Sequence, residues 1–289
     1  MANARELRKR RKSAQNTRKI TSTMELVASA KLKKAQDAAE ASRPYAEGLA
    51  ELVSKLASVG GDDAHPLMEQ REVKRVVVVV CASDRGLCGA FNANLIHEAV
   101  RVIRAHRQAG REVEVVSAGK KAVSSLRFLG FGASTEYNGI MDAPKYPQAQ
   151  TVIEPLMERF TKREIDQVDV VYARFISAGR INPDCRQLLP AGGTDVEAGG
   201  SAGGGDFIFH PSAEAILTEL IPQTVKTALF SCFLQTSAGE HAARRSAMKN
   251  ATDAAGDLIK FLTRSYNRAR QGKITQEIAE IVGAVEAMS

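Results

Sequence analysis

Apolar positions recur in steps of three and four at both ends of the chain, and in unbroken β-branched runs between them. Near the N-terminus the row is Ile20, Met24, Val27, then Tyr45, Leu49, Leu52 and Leu56. Near the C-terminus it is Met248, Ala251, Ala255, Leu258, Leu262, then Ile274, Ile278, Ile281 and Val285. Each row is a narrow seam, which predicts helices that pair side by side and do not lie on a broad core. Residues 2–59 hold a single proline, Pro44, and a single glycine, Gly48. From residue 212 onward no loop signal interrupts the pattern. Ser212 is the expected N-cap, with Pro211 before it and Glu214 in the first turn. Pro222 is expected to kink or break that helix near its start. Rods of roughly 85 and 115 Å result at 1.5 Å per residue. Rods that long need a partner along their length, and each is the other's nearest candidate.

Between the rods the period changes. The run Arg75-Val-Val-Val-Val-Val-Cys81-Ala82 reads as a strand buried on both faces. A turn with Gly86 and Gly89 follows, then a helix over 92–108, a strand over 112–117 and a helix over 120–129. A helix over 148–162 and a β-rich run over 168–176 complete the alternation. This spacing predicts a small, mostly parallel sheet of Rossmann-like layout. Residues 192–206 hold seven glycines among serine, threonine and aspartate, which predicts a flexible return loop. The expected organisation is an N-terminal rod over 1–59, a linker over 60–74, the sheet module over 75–190, a glycine-rich loop over 191–211 and a C-terminal rod over 212–289.

Composition adds three constraints. Aromatic residues make up only 5% and tryptophan is absent, as alanine-rich rods require. No apolar run approaches the 18 residues of a membrane span, and the first residues lack the apolar core of a signal peptide. The four cysteines, Cys81, Cys88, Cys185 and Cys232, show no CxxC spacing, which predicts reduced thiols in a cytosolic compartment. The net charge of +7 is unevenly placed: Arg5, Arg8, Lys9, Arg10, Arg11, Lys12, Arg18 and Lys19 crowd the first turns against Glu6. Such a run asks for an acidic neighbour, whether nucleic acid, anionic lipid or an acidic protein surface, and charge alone does not choose.

Catalytic chemistry has little to stand on. The turn Ser83-Asp84-Arg85-Gly86-Leu87-Cys88-Gly89 follows the first strand, where an open sheet binds phosphates. It supplies GxxG in place of GxGxxG, however, and no GxxxxGK[ST] occurs. The five histidines, His65, His97, His106, His210 and His241, have no metal-like spacing, and no GxSxG elbow appears. The bare reading of this turn is structural, with no cofactor and no metal expected.

Three stretches carry a family resemblance. Arg18-Lys19-Ile20-Thr21-Ser22-Thr23-Met24-Glu25-Leu26-Val27-Ala28-Ser29-Ala30-Lys31-Leu32 resembles the N-terminal helix of the γ subunit of F-type ATP synthases. Glu240-His241-Ala242-Ala243-Arg244-Arg245-Ser246-Ala247-Met248 resembles a segment of its C-terminal helix. The tail from Tyr266 through Arg268, Arg270, Gln271, Thr275 and Glu277 to Val282 is similar to the family's C-terminal signature. The 83–89 turn, with Phe91 and Asn92, is also a family feature. Three departures stand out: Gly239 where a serine is usual, an early Gly283-Ala284 pair, and the glycine-rich 192–206 loop. The cysteine-bearing insert of the plant chloroplast form is not visible, so thiol control is not expected.

The resemblance implies an α/β fold with long helices: an antiparallel coiled coil of the terminal helices plus a small Rossmann-like domain. It implies a central rotor shaft inside a hexamer of alternating α and β subunits, with the sheet module beside the ε subunit and the membrane c-ring. ATP is then made or hydrolysed on the hexamer and not on this chain. By motif, the contacts with the hexamer fall to Arg268, Arg270, Gln271, Thr275, Glu277 and Glu280 in the tail, to Glu240 and Arg244, and to Met24, Lys31 and Lys33 near an acidic lever of β. The expected location is the cytoplasmic side of a bacterial plasma membrane, held there through the complex. The rival, a basic coiled-coil protein on nucleic acid, predicts steeply salt-dependent binding and gives no reason for the apolar tail. A Rossmann-type enzyme needs a phosphate loop with a glycine that this turn lacks.

Overall fold

The computed structural model describes residues 4–60, 65–192 and 213–288. The chain divides into two compact units, one spanning Ser29–Ala243 and the other formed by the paired chain ends, up to Ala28 and from Arg244 onward. Two helices run through both: α1, Ala4–Gly60, with 57 residues, and α5, Ala213–Met288, with 76. Ser212 and residues 193–206 of the glycine-rich loop lie outside the described residues.

The larger unit is built on a five-stranded sheet of order β3-β2-β1-β4-β5. Its strands are β1 (Arg75–Cys81), β2 (Glu112–Ala118), β3 (Thr135–Tyr137), β4 (Gln167–Ser177) and β5 (Arg180–Leu189). The three pairings along the order β3-β2-β1-β4 are parallel, and β5 returns antiparallel on β4. Successive side chains of a strand point to opposite faces, and the valine run of β1 serves both. Val76, Val78 and Val80 pack with α2 (Phe91–Gln108) and α3 (Lys120–Phe128). Val77, Val79 and Cys81 face α4 (Tyr146–Thr161) and the first part of α5. Asp166 holds the entry of β1: its carboxylate accepts from the backbone N–H groups of Lys74 (3.1 Å) and Arg75 (2.8 Å) and from Arg71 Nε (2.9 Å).

Pro222 does not break its helix, and one strand goes beyond the expected alternation. Pro222 lies inside α5, and the helix runs through it without interruption. A proline in a helix interior costs about 3 kcal/mol, but Leu217, Ile221 and Val225 around it are all buried in the sheet's core. Burial of such side chains, at about 1.5–3 kcal/mol each, outweighs the lost hydrogen bond. This first stretch of α5 is therefore a wide buried face on the sheet and not a narrow seam. The strand β5 was not anticipated either; its polar sequence with Pro183 suits only the sheet edge, where a missing N–H is tolerated.

In the smaller unit the two helices pair antiparallel. Arg11 lies over the ring of Tyr266 at 5.1 Å, and Thr252 donates to Thr21 at 2.8 Å, so α5 numbering falls as α1 numbering rises. The buried positions of α1 are Leu7, Ala14, Thr21 and Ala28, one per seven residues, and Met248, Ala255 and Leu262 answer on α5 with the same period. A strict seven-residue repeat is the signature of a supercoiled pair. On α1 the seam therefore lies one residue away from the expected row, since Ile20 and Val27 are exposed, whereas on α5 Met248, Ala255 and Leu262 of the expected row are buried and Leu258 is exposed. Alanine and threonine at Ala14, Thr21, Ala28 and Ala255 let the backbones approach closely, and the larger Ile20, Val27 and Leu258 are turned outward.

Candidate functional site

The turn after β1 sits at the carboxyl edge of the sheet, where phosphate ligands bind in open α/β folds. Here the chain supplies its own anion. Asp84 accepts from the backbone N–H of Lys120 at the start of α3 (3.1 Å), and from those of Gly139 (2.8 Å) and Met141 (3.0 Å). The first N–H of α3 is thus taken by a side-chain carboxylate. Ser83 and Asn92 close the same turn with a 2.9 Å hydrogen bond. Gly119, at φ +101°, has no room for a side chain, since a Cβ there would lie 2.0 Å from the carbonyl oxygen of Ala82. The turn joins β1, α3 and the 138–145 loop into one rigid corner.

Asp142 projects from that loop. Its carboxylate takes Lys31 Nζ of α1 at 2.6 and 2.8 Å. Burial alone would raise its pKa, but the hydrogen bonds and charge of Lys31, with Arg85 and His241, outweigh it and hold the carboxyl below its usual range. Ligand atoms of Asp142, Glu240 and His241 lie within 4.8 Å of one another, a donor set that suits a divalent cation. Of these three, Asp142 is already paired with the Lys31 ammonium.

Of the residues expected to contact partners, Glu240 and Arg244 are buried, with 1% and 8% exposure. Met24 and Lys31 are half-buried, and Lys33 is exposed and paired with Asp37 at 2.7 Å. That pairing, first by hydrogen bond and then by charge, raises the Lys33 pKa. Arg268, Arg270, Gln271, Thr275, Glu277 and Glu280 are all exposed. Thr275 donates to the Gln271 carbonyl (3.0 Å), Lys273 pairs with Glu277 (3.4 Å), and Gln276 donates to Glu280 (2.9 Å).

The last turns of α5 form an overhang. The most N-terminal buried residue of α1, Leu7, packs in a cluster with Ile259, Leu262, Tyr266 and Ala269. Beyond these every described side chain of α5 is exposed. Ile274, Ile278, Ile281 and Val285 form a stripe there at 42%, 56%, 66% and 63% exposure. Arg268, Gln271 and Thr275 flank the stripe on one side and Arg270 with Glu277 on the other, as three-, four- and seven-residue steps on a helix require. A contiguous apolar stripe with polar rims marks an interface. The outward Ile20, Met24 and Val27 on α1 make a second, shorter stripe, which a reading that assigned them to the seam could not separate.

The cysteines are quiet. All four are free thiols. Burial pushes Cys81 well above its ordinary pKa, and burial with the nearby Asp169, Glu98 and Asp184 pushes Cys185 up to about 12. Neither carries appreciable thiolate at neutral pH. Among the described residues, no helix is long and apolar enough to cross a membrane.

The ATP synthase family model matches residues 3–288. The ATP synthase gamma chain of Rhodopirellula baltica is 44% identical over all of this chain and 99% of its own length, and that of Leptospira biflexa is 42% identical over the whole of both. Among solved structures, the rotor of the Euglena gracilis mitochondrial ATP synthase covers 94% of this chain and 98% of its own at a TM-score of 0.64 and 19% identity. The central stalk and c-ring structure of the Tetrahymena thermophila enzyme gives 0.59 at 20% identity, over 80% of this chain and 99% of that one. These neighbours share the fold of two long helices and a sheet module, and with the near-full-length matches in sequence they place this chain in the ATP synthase gamma chain family.

Proposed function

We propose that this chain is the central rotor shaft of a bacterial ATP synthase, carrying no catalytic centre of its own and acting through contacts with the subunits around it. The observation that carries the reading is the bare apolar stripe on the overhanging end of α5, rimmed by Arg268, Arg270, Gln271, Thr275 and Glu277. A helix end of this kind turns within an apolar sleeve formed by the α and β subunits, while its polar rims, with Glu280, engage β in some orientations and not in others. Only such differential contact can bias the populations of the β conformers. Met24, with Ile20 and Val27 beside it, makes a second contact, opposite an acidic segment of β, and the exposed Lys33 is a further contact with β. Glu240 and Arg244, each buried, are further positions that bear on the hexamer. The sheet module meets the ε subunit and the c-ring. The complex then holds the chain at the cytoplasmic face of the plasma membrane, where ion flow through the c-ring drives ATP synthesis or ATP hydrolysis drives the reverse.

Co-expression with the α and β subunits of a bacterial relative, followed by sizing and an ATPase assay, tests this directly. The expected result is a stoichiometric complex whose ATPase activity depends on this chain and weakens when residues 268–289 are removed. A chain that stays apart from the hexamer, or whose truncation leaves activity unchanged, contradicts it.

A further inference from the structure

The corner built by Asp84 reaches further than the sheet. Asp84 fixes Gly139 and Met141 through their backbone N–H groups, and the next residue is Asp142. Asp142 touches both long helices at once. Its carboxylate holds Lys31 of α1 at 2.6 and 2.8 Å, and its backbone carbonyl oxygen lies 3.1 Å from His241 Nε2 and 3.4 Å from Ser237 Oγ, both on α5. Leu32 and Ala35 of α1 pack against Ala238 and Ala242 of α5 at the same level, with Phe175 and Ile181 of the sheet against them. Met141 is fully buried, so the loop cannot swing without opening the core. The Asp142 side chain is 28% exposed and that of Lys31 36%, so their pairing is screened less than a surface ion pair.

From this geometry we infer that Asp142, seated by Asp84, is a positioning residue that fastens the sheet module to both shaft helices and carries torque between them. Apolar packing alone resists separation but slides easily along its own surface, because it is non-directional. A charge-assisted hydrogen bond to one helix and a carbonyl contact to the other are directional, and twisting either helix against the module stretches them. The suspected phosphate turn thereby acquires a mechanical role: its carboxylate anchors the clamp from below. Lys31 acts within this chain and not as a direct partner contact.

The inference rests on the rotor reading, and the experiment separates the two. Membrane-reconstituted complexes are compared for ATP hydrolysis and for ATP-driven ion pumping. The wild-type chain must confer coupled pumping; if it does not, the rotor reading fails before the clamp is tested. With Asp142→Ala, hydrolysis is expected to stay near wild type while ions pumped per ATP fall about two- to tenfold, the range of an ordinary coupling contact. Lys31→Met, which leaves the loop's backbone bonds alone, is expected to do the same and serves if Asp142→Ala assembles poorly. The swapped pair Lys31→Asp with Asp142→Lys is expected to recover most of the ratio. A wild-type pumping ratio in either assembled single variant overturns the inference. So does a swapped pair that restores assembly but not the ratio, which confines the contact to folding.

Discussion

Asp166 carries more of the fold than its size suggests, because one carboxylate satisfies two backbone N–H groups at the entry of β1 and holds Arg71, which in turn lies over the Phe160 ring at 4.3 Å. Burial opposes its charge, but those hydrogen bonds outweigh it and depress its pKa. A depressed carboxyl contributes stability that is complete above its unfolded value, near 4, and is lost as pH falls through the folded value. Asp166→Asn should therefore cost about 1–3 kcal/mol at pH 7. The gap to wild type should narrow in urea melts of the full chain below about pH 4; a gap independent of pH would contradict the assignment. Gly239 is the second residue with a sharp consequence. A Cβ there would lie 3.0 Å from Ile181 Cγ2 and 3.2 Å from Phe91 Cε2, so the position is tight for any side chain. Gly239→Ala gains about 1 kcal/mol of helix propensity but overpacks a rigid contact at about 1–3 kcal/mol. The expected result is a net loss in the urea midpoint, and a gain would show that Phe91 moves aside freely.

At the scale of elements, legibility followed burial. The β-branched runs of β1, β2 and β4 could be read directly because each is buried on one or both faces, and the long helices because little interrupts them. The edge strand β5 could not, since an edge imposes no apolar pattern and admits Pro183 and Asn182. On α1 the seam was misread for a physical reason: large apolar residues dominate a pattern search, whereas that side of the coil is closed by Ala14, Thr21 and Ala28; on α5 the expected Met248, Ala255 and Leu262 are the buried positions. The contacts proposed for the tail rest on the family's motif alone. The clamp was not visible at all, because Lys31 and Asp142 are 111 residues apart and Asp142 stands in a loop. The register makes a paired prediction for the full chain. Ala28→Leu, at 1% exposure, should cost about 1–3 kcal/mol by overpacking, whereas Ile20→Ser, at 61% exposure, should stay within about 0.5 kcal/mol. Urea denaturation of both variants checks this, and the reverse order of losses would restore the large-residue seam. Ile20→Ser should instead weaken association with the hexamer.

For the whole molecule, the central claim is that this chain turns within the hexamer as ATP is hydrolysed. Met24→Lys belongs to this scale: it should lower the ions pumped per ATP more than it lowers the yield of assembled complex. Equal losses in both would make Met24 a site of assembly and not of coupling. Direct observation of rotation is the most decisive measurement. Phe128, 90% exposed at the end of α3, offers a cysteine position for a probe, and the native thiols are buried or half-buried. With the hexamer fixed to a surface and a bead on Phe128→Cys, added ATP should drive continuous rotation in one direction that stops when ATP is exhausted. A hexamer that hydrolyses ATP while the bead only diffuses, with no preferred direction, would contradict the account.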